Sequence, residues 1–309
     1  MNTKNLLYIL KRIFLAILTV WIVITITFFV SRAVPGGPFA SEKAITPAAK
    51  AALEAKYGLD KPLMTQYFTY LKDIVTEFDF GPSLKNRGRD VMDIIGDGLK
   101  TSTKLGVTAA CIALAAGVVL GAVAALRRNK FIDRVVMVFT TASISMPSFI
   151  MGTLLLLLFA LVWRILPANG AAEGGLILPI ITLSLSPMAN ITRLTRSSML
   201  DVLGQDYIRT AKAKGVSGGK IIFGHALKNA LIPVITYFGP MLAYIVTGSL
   251  VIEQIFAVPG IGRAFVSSIT DRDYPMIMGT TIVLATLIVV MNMISDILYK
   301  VVDPRINLE

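Results

Sequence analysis

Neither a disulfide framework nor a Cys/His metal centre can be assembled from this sequence, which holds one cysteine, Cys111, and one histidine, His225. Charge is scarce too: Asp, Glu, Lys and Arg make up 16% of the 309 residues, where an ordinary soluble domain carries roughly 25%. The string nearest to a phosphate-cradling G-x-x-x-x-G-K-[ST] loop is Gly215-Val216-Ser217-Gly218-Gly219-Lys220-Ile221. Its glycine spacing is wrong, and Ile221 replaces the magnesium-binding hydroxyl. There is no H-E-x-x-H and no carboxylate pair inside an apolar run. These shortages exclude a disulfide-stapled domain, a Cys/His metal site and ATP hydrolysis by a loop of the chain's own. Cys111, in the middle of an apolar stretch, is expected to be inert packing.

Apolar length is what the chain has instead. Hydrophobic residues make up 55% of it, and six runs approach the roughly 20 residues that a bilayer-spanning helix needs. They are Ile13 to Val30, Leu105 to Leu126, Val135 to Trp163, Leu176 to Ile191, Leu231 to Ile252 and Met276 to Leu298. The first follows Lys4, Lys11 and Arg12 as a signal peptide would, but it is longer than the apolar core of one and meets Ser31-Arg32-Ala33-Val34-Pro35, not a small-residue cleavage site. An uncleaved anchor is expected. The fourth run is short and extends through Thr192-Arg193-Leu194, its basic side chain reaching toward head groups. Pro147, Pro179, Pro187, Pro233 and Pro240 fall within or at the ends of these runs, which points to kinked helices packed on one another.

The net charge of +11 could suggest nucleic acid, but its placement assigns it to topology. The tail before the first run, the connection Arg127 to Arg134, the connection Arg193 to Lys228 and the tail after the sixth run together hold sixteen Lys and Arg against five acids. That surplus of eleven is the whole net charge. Positive charge stays on the cytoplasmic side, so both termini are expected there. The intervening segment Ser31 to Lys100, with ten basic and nine acidic residues, is expected outside as a small helical domain. Thr46-Pro47 supplies a helix start and Gly58 a stop. Leu63, Tyr67, Leu71 and Ile74 recur at helical spacing, and Asp79-Phe80-Gly81-Pro82-Ser83 reads as a turn. The chain therefore divides into residues 1–30, a cytoplasmic tail and first span; 31–104, an extracytoplasmic helical domain; and 105–309, a five-helix membrane core with a cytoplasmic loop over 193–229.

Within the second run Ala109, Ala113, Gly117, Gly121 and Ala125 recur at intervals of four. Such a stripe lets two helices approach closely, either inside this chain or against a partner subunit. Asp296 is the one acid well inside a run. Intramembrane acids are candidates for function, but its place near the cytoplasmic end favours a structural role, snorkelling or pairing with an Arg of a neighbouring loop. Ser143, Ser145 and Asn190 are ordinary polar residues of spans, suited to joining helices, and no pattern marks a substrate site.

One cytoplasmic segment carries more than topology. Asp206-Tyr207-Ile208-Arg209-Thr210-Ala211-Lys212-Ala213-Lys214-Gly215-Val216 contains R-T-A-x-A-K-G, and His225-Ala226-Leu227-Lys228-Asn229-Ala230-Leu231-Ile232-Pro233 follows it. It resembles the coupling loop of ATP-binding-cassette (ABC) importer permeases. It departs from their general E-A-A pattern by placing Arg209, Thr210 and Ala211 at the first three positions, and it is most similar to the peptide and nickel branch. Pro35-Gly36-Gly37-Pro38-Phe39, Ser145-Met146-Pro147-Ser148-Phe149 and Pro259-Gly260-Ile261-Gly262 resemble the same branch. Lys56-Tyr57-Gly58-Leu59, Met64-Thr65-Gln66-Tyr67-Phe68 and the Asp79 turn are most similar to B-type subunits of oligopeptide permeases.

That resemblance implies an all-α integral membrane protein with six transmembrane helices and the ABC importer permease fold, resident in a bacterial cytoplasmic membrane and importing oligopeptides. It implies four kinds of partner: a second, C-type permease, two cytoplasmic ATPase subunits of D and F type, an extracytoplasmic A-type peptide-binding protein, and membrane lipid. ATP and magnesium would be used by the ATPase subunits, with no cofactor on this chain. Asp206 to Val216 would form a short helix broken by Gly215, a lever for an ATPase groove. A dipeptide or nickel importer of the same branch is the near alternative. An intramembrane enzyme or a passive channel is the alternative from another class, the first requiring a catalytic pair at one depth and the second requiring flux without ATPase.

Overall fold

The computed structural model describes residues 3–34, 37–39, 47–86 and 88–302. Thr46, Pro35, Gly36 and the terminal charges Asp303, Arg305 and Glu309 lie outside the described residues, as do the side chains of Lys4, Asp296 and Lys300. Among the described residues every regular element is helical, with one isolated bridge between Pro82 and Asp90.

Among the described residues four helices contain stretches long and apolar enough to cross a membrane: α1 (Thr3–Ala33), α4 (Val91–Leu126), α7 (Ile177–Leu203) and α13 (Tyr274–Val302). Two further stretches qualify only as bent pairs. The run expected as one span over Val135 to Trp163 is two helices, α5 (Phe131–Ser145) and α6 (Ser148–Val162), meeting at 108°. The cause is Pro147, which has no N–H to continue the ladder and pushes the residue before it out of helical conformation. Met146 accordingly sits at φ −89°, ψ 124°. The run expected over Leu231 to Ile252 is likewise divided. Helix α9 (Gly218–Ala230) meets α10 (Ile232–Val246) at 49° beside Pro233. Gly248, at φ +93°, then separates α10 from the short α11 (Leu250–Ile255). Pro187, by contrast, is carried inside α7 without a break.

Large apolar side chains face outward along these helices, among them Ile17, Trp21, Ile26 and Val30 of α1, Val119 of α4 and Val138 of α5. In water such surface would be a liability. Against hydrocarbon it carries no penalty, and helices that satisfy their own backbone groups are the elements that can stand there. Cys111, expected to be packed, is also on an exposed face of α4.

The chain forms two compact units. The first comprises Met1–Lys100 and Gly260–Val289. Its core joins Ile24 and Phe28 of α1, Tyr67 of α3 (Leu63–Glu77), Val91 and Ile95 of α4, Ile261 of α12 (Ile261–Asp271), and Met276, Met278 and Ile282 of α13. Of the helical positions expected in α3, Tyr67, Leu71 and Ile74 pack on this core, whereas Leu63 is exposed. Helix α2 (Pro47–Lys56) ends just ahead of Gly58, whose φ of +65° turns the chain. The turn at Asp79 is closed by the Gly81 N–H donating to Asp79 Oδ1 at 2.7 Å. A buried acid, Asp273, secures the segment from Ser83 to Lys85 after this turn. Its carboxylate accepts from the Ser83 hydroxyl, from the Leu84 and Lys85 N–H groups at 3.2 and 3.3 Å, and from the Met276 N–H at 3.3 Å. The last of these is the N-cap bond of α13.

The second unit comprises Thr101–Pro259 and Val290–Glu309. Helix α7 is its centre. One core joins Ala110 and Ala113 of α4, Met188 and Ile191 of α7, and Val234, Met241 and Ile245 of α10. A second joins Leu105, Leu178, Ile252, Phe256 and Val258. Glu253 is wholly buried, with its Oε1 accepting from the Ser102 hydroxyl at 2.7 Å.

Candidate functional site

The segment singled out by its motif is helix α8 (Asp206–Ala213). An acid in its first turn, Asp206, and a base in its last, Lys212, both complement the helix dipole. Its end is built by hydrogen bonds. The Val216 N–H donates to Ala211 O at 3.1 Å and the Gly215 N–H to Lys212 O at 3.0 Å, with Gly215 at φ +76°. That pair of bonds around a left-handed glycine is a Schellman stop. Ala211 and Val216, the two positions that such a stop usually brings together, both pack against the same buried cluster.

One side of α8 is anchored. Ile208 is fully buried among Met199 of α7, Ile221, Ala226 and Ala230 of α9, and Ala125 at the end of α4. The Tyr207 hydroxyl accepts from Asn229 Nδ2 at 2.9 Å. The other side is bare: Arg209, Thr210, Lys212, Ala213 and Lys214 are exposed. Arg209 pairs with Asp206 at 3.4 Å, but both side chains are largely in solvent, where such a pair contributes little and is readily exchanged. The result is a short rigid helix, gripped along one face, that offers a basic and hydroxyl-bearing face to whatever approaches it.

The Gly218-Gly219-Lys220 stretch forms the first turn of α9 and no phosphate-cradling loop. The residues Gly215 to Gly219 also spell G-x-S-x-G. A nucleophile elbow needs a strand feeding a helix; here helix α8 feeds helix α9. Among the described residues no group of three or more His, Cys, Asp or Glu could hold a metal ion.

The small-residue stripe of α4 lies against α7. Ala109, Ala113 and Ala125 are buried. A Cβ added at Gly117 would come within 2.7 Å of Ile191 Cγ2 and 2.9 Å of Met188 O, and one at Gly121 within 2.5 Å of Thr192 O. The backbones of α4 and α7 therefore touch where the glycines are. Ser143 is buried on α5, Ser145 is exposed, and Asn190 donates through Nδ2 to Ser186 O at 3.1 Å within its own helix. Of the residues that fix α8, Ile208 lies within the motif segment and Asn229 in the stretch that follows it, and Met199 carries no motif. The apolar spacing of Ile208 with Ala211 was the available signal for the first.

Two family models match the chain. Residues 117–308 match the family described as binding-protein-dependent transport system inner membrane component, and residues 5–100 match the N-terminal region of such membrane components. The dipeptide transport system permease protein DppB of Bacillus subtilis is 49% identical over 302 residues, which covers 97% of this chain and 98% of that protein. The oligopeptide transport system permease protein OppB is 45% identical in Salmonella typhimurium and 44% in Escherichia coli K12, in each case over 97% of this chain and 99% of the relative.

Proposed function

The chain belongs to the family of binding-protein-dependent transport system inner membrane components, and from that membership we propose that it is the permease subunit of an ABC importer that carries oligopeptides into the cytoplasm by alternating access. The relatives named for peptide transport match it from end to end, which supports peptide as the cargo. Six spans result if each bent pair crosses once. The placement of the Lys and Arg residues supports two cytoplasmic termini in a bacterial inner membrane. Residues 1–30 are then tail and first span, 31–104 the extracytoplasmic domain, and 105–309 the transport core with its cytoplasmic loop over 193–229.

The observation that carries this reading is α8, anchored through Ile208, stopped at Gly215 and free along Arg209, Lys212 and Lys214. In the proposed mechanism an ATPase subunit seats this face in a groove, and its closure on ATP pushes the helix. The push reaches α7 through Met199 and α9 through Ile221 and Ala226. The helices then change between two discrete packings, with the breaks at Met146-Pro147 and Leu231 available to absorb the change. The partners are a C-type permease, D- and F-type ATPase subunits that use ATP and magnesium, and an A-type peptide-binding protein. This chain itself supplies path and lever and holds no cofactor.

The test uses the whole importer reconstituted in membranes. Arg209→Glu with Lys212→Glu should weaken ATPase copurification while both permeases still assemble. Gly215→Pro should permit partial docking but lower peptide-stimulated ATP hydrolysis, because proline cannot adopt φ +76° and lacks the N–H bonded to Lys212 O. Normal docking and hydrolysis in these variants would leave the segment as a topology signal only. The second reading, a dipeptide importer, draws on the 49% identity to the Bacillus subtilis dipeptide permease protein. Mass spectrometry of peptides copurifying with the complex decides between the two.

A further inference from the structure

Two helices of the second unit are fastened by an ion pair whose carboxylate is buried and whose guanidinium is partly exposed. Arg196 of α7 reaches Asp133 in the first turn of α5 with two parallel bonds, Nε to Oδ1 at 2.6 Å and Nη2 to Oδ2 at 2.8 Å. Asp133 is 3% exposed, and it also accepts the Asn129 N–H at 2.8 Å. It thus fixes the connection into α5, where Asn129 sits at φ +62°. One turn along α7, Arg193 Nη2 donates to Thr141 Oγ1 of α5 at 2.6 Å. One turn in the other direction stands Met199, packed on Ile208 of α8. A single face of α7 therefore holds α5 at two levels and α8 at a third.

Stability alone is a poor reason to bury such a pair. Exchanging both partners for well-packed apolar residues of similar volume is often harmless or stabilising, whereas removing one is costly. What a planar, two-pronged guanidinium–carboxylate contact supplies is fixed geometry. We propose that Asp133 and Arg196 form a strut that makes α5 travel as one body with the coupling helix α8. This rests on the reading of α8 as the ATPase lever. Both are positioning residues: they act through α7, touching neither peptide nor nucleotide. Motion of α8 then reaches the near end of α5 undiminished and is released at the Met146-Pro147 break, where the chain turns through 108°.

The experiment uses the full importer in lipid nanodiscs, with Cys111→Ser removing the chain's one native thiol. Spin labels at Lys130→Cys and at Gln205→Cys, the N-cap of α8 and outside the face assigned to docking, both exposed, report the distance from the start of α5 to α8. With the strut intact the same narrow distance is expected in nucleotide-free and ATP-trapped states, and a distance that changes between them overturns the proposal. The paired variant Asp133→Asn with Arg196→Gln leaves no buried charge unpaired, so a purely structural role predicts normal transport. The strut predicts normal ATPase docking, a distance that broadens or shifts on ATP trapping, and peptide uptake per ATP lowered roughly fivefold or more, the lower end of coupling between linked sites. Unchanged uptake per ATP sinks the strut. The lever reading fails separately, if Arg209→Glu with Lys212→Glu leaves ATPase docking untouched.

Discussion

Replacing Gly121 by alanine adds one methyl group where α4 and α7 meet. That carbon would lie 2.5 Å from Thr192 O and 2.6 Å from Thr195 Cβ, about 1 Å short of a comfortable separation. The first obstacle is a helix carbonyl, which no rotamer change can move aside, so the two helices must part. Overpacking of this kind costs about 1–3 kcal/mol. Alanine is also the better helix former by roughly 0.5–1 kcal/mol, so the measured loss alone understates the clash. Gly224→Ala supplies the correction. It makes the same change in α9, where the new carbon would meet only Lys220 Cγ at 3.9 Å. The difference between the two variants isolates the contact, and it should fall between roughly fivefold and a hundredfold in the unfolding equilibrium. Reversible unfolding of the purified permease in mixed detergent and SDS micelles measures it. If Gly121→Ala proves as stable as Gly224→Ala, the close approach of α4 to α7 is wrong, and with it the packing role of the stripe.

Asp273→Ala should leave three backbone N–H groups and the Ser83 hydroxyl without their acceptor, each at roughly 1–3 kcal/mol if it stays buried. Folded yield should collapse and Asp273→Asn should recover part of it; a well-folded alanine variant would refute the assignment. In a Cys111→Ala background, a thiol at Lys72→Cys should react with an impermeant reagent from outside the cell and one at Lys220→Cys only from inside. Reaction of both from the same face would reverse or break the topology. Gly215→Ala should retain ATPase docking better than Gly215→Pro, because alanine keeps the N–H bonded to Lys212 O and loses only the ease of a positive φ. Equal docking by the two variants, measured by copurification, would mean that the backbone stop is not what shapes the lever.

Runs of apolar residues made α1, α4, α7 and α13 legible, because length and hydropathy are all that a straight span requires. Pro147 and Pro233 were equally visible, but a proline signals only that a hydrogen bond is missing. Whether the helix bends through 49° or 108°, or runs on as it does through Pro187, depends on what packs beside it. The extent of α8 could be read from Asp206 and Gly215, since its start and stop are local chemistry. Its anchorage could not, since Met199 and Asn229 reach it from elsewhere in the chain. Asp133 and Asp273 show the same divide. One counted only as a charge in a basic loop and the other marks locally no more than a helix N-cap ahead of Tyr274-Pro275, because the partners that bury them stand 63 and up to 190 residues away.

Helix α8 is complete before any partner arrives. Its eight residues are held by their own Schellman stop and by Ile208 beneath them, whereas ordering a loose loop on contact would cost roughly 1–2 kcal/mol for each backbone fixed. A surface already in shape leaves that cost out of association. A shallow groove and a modest number of contacts can then give a durable complex. In the docking proposed for α8, the rate of meeting is set by diffusion and by attraction between Arg209, Lys212 and Lys214 and acidic groups on the incoming surface, and it should fall steeply as salt is added while the dissociation rate hardly changes.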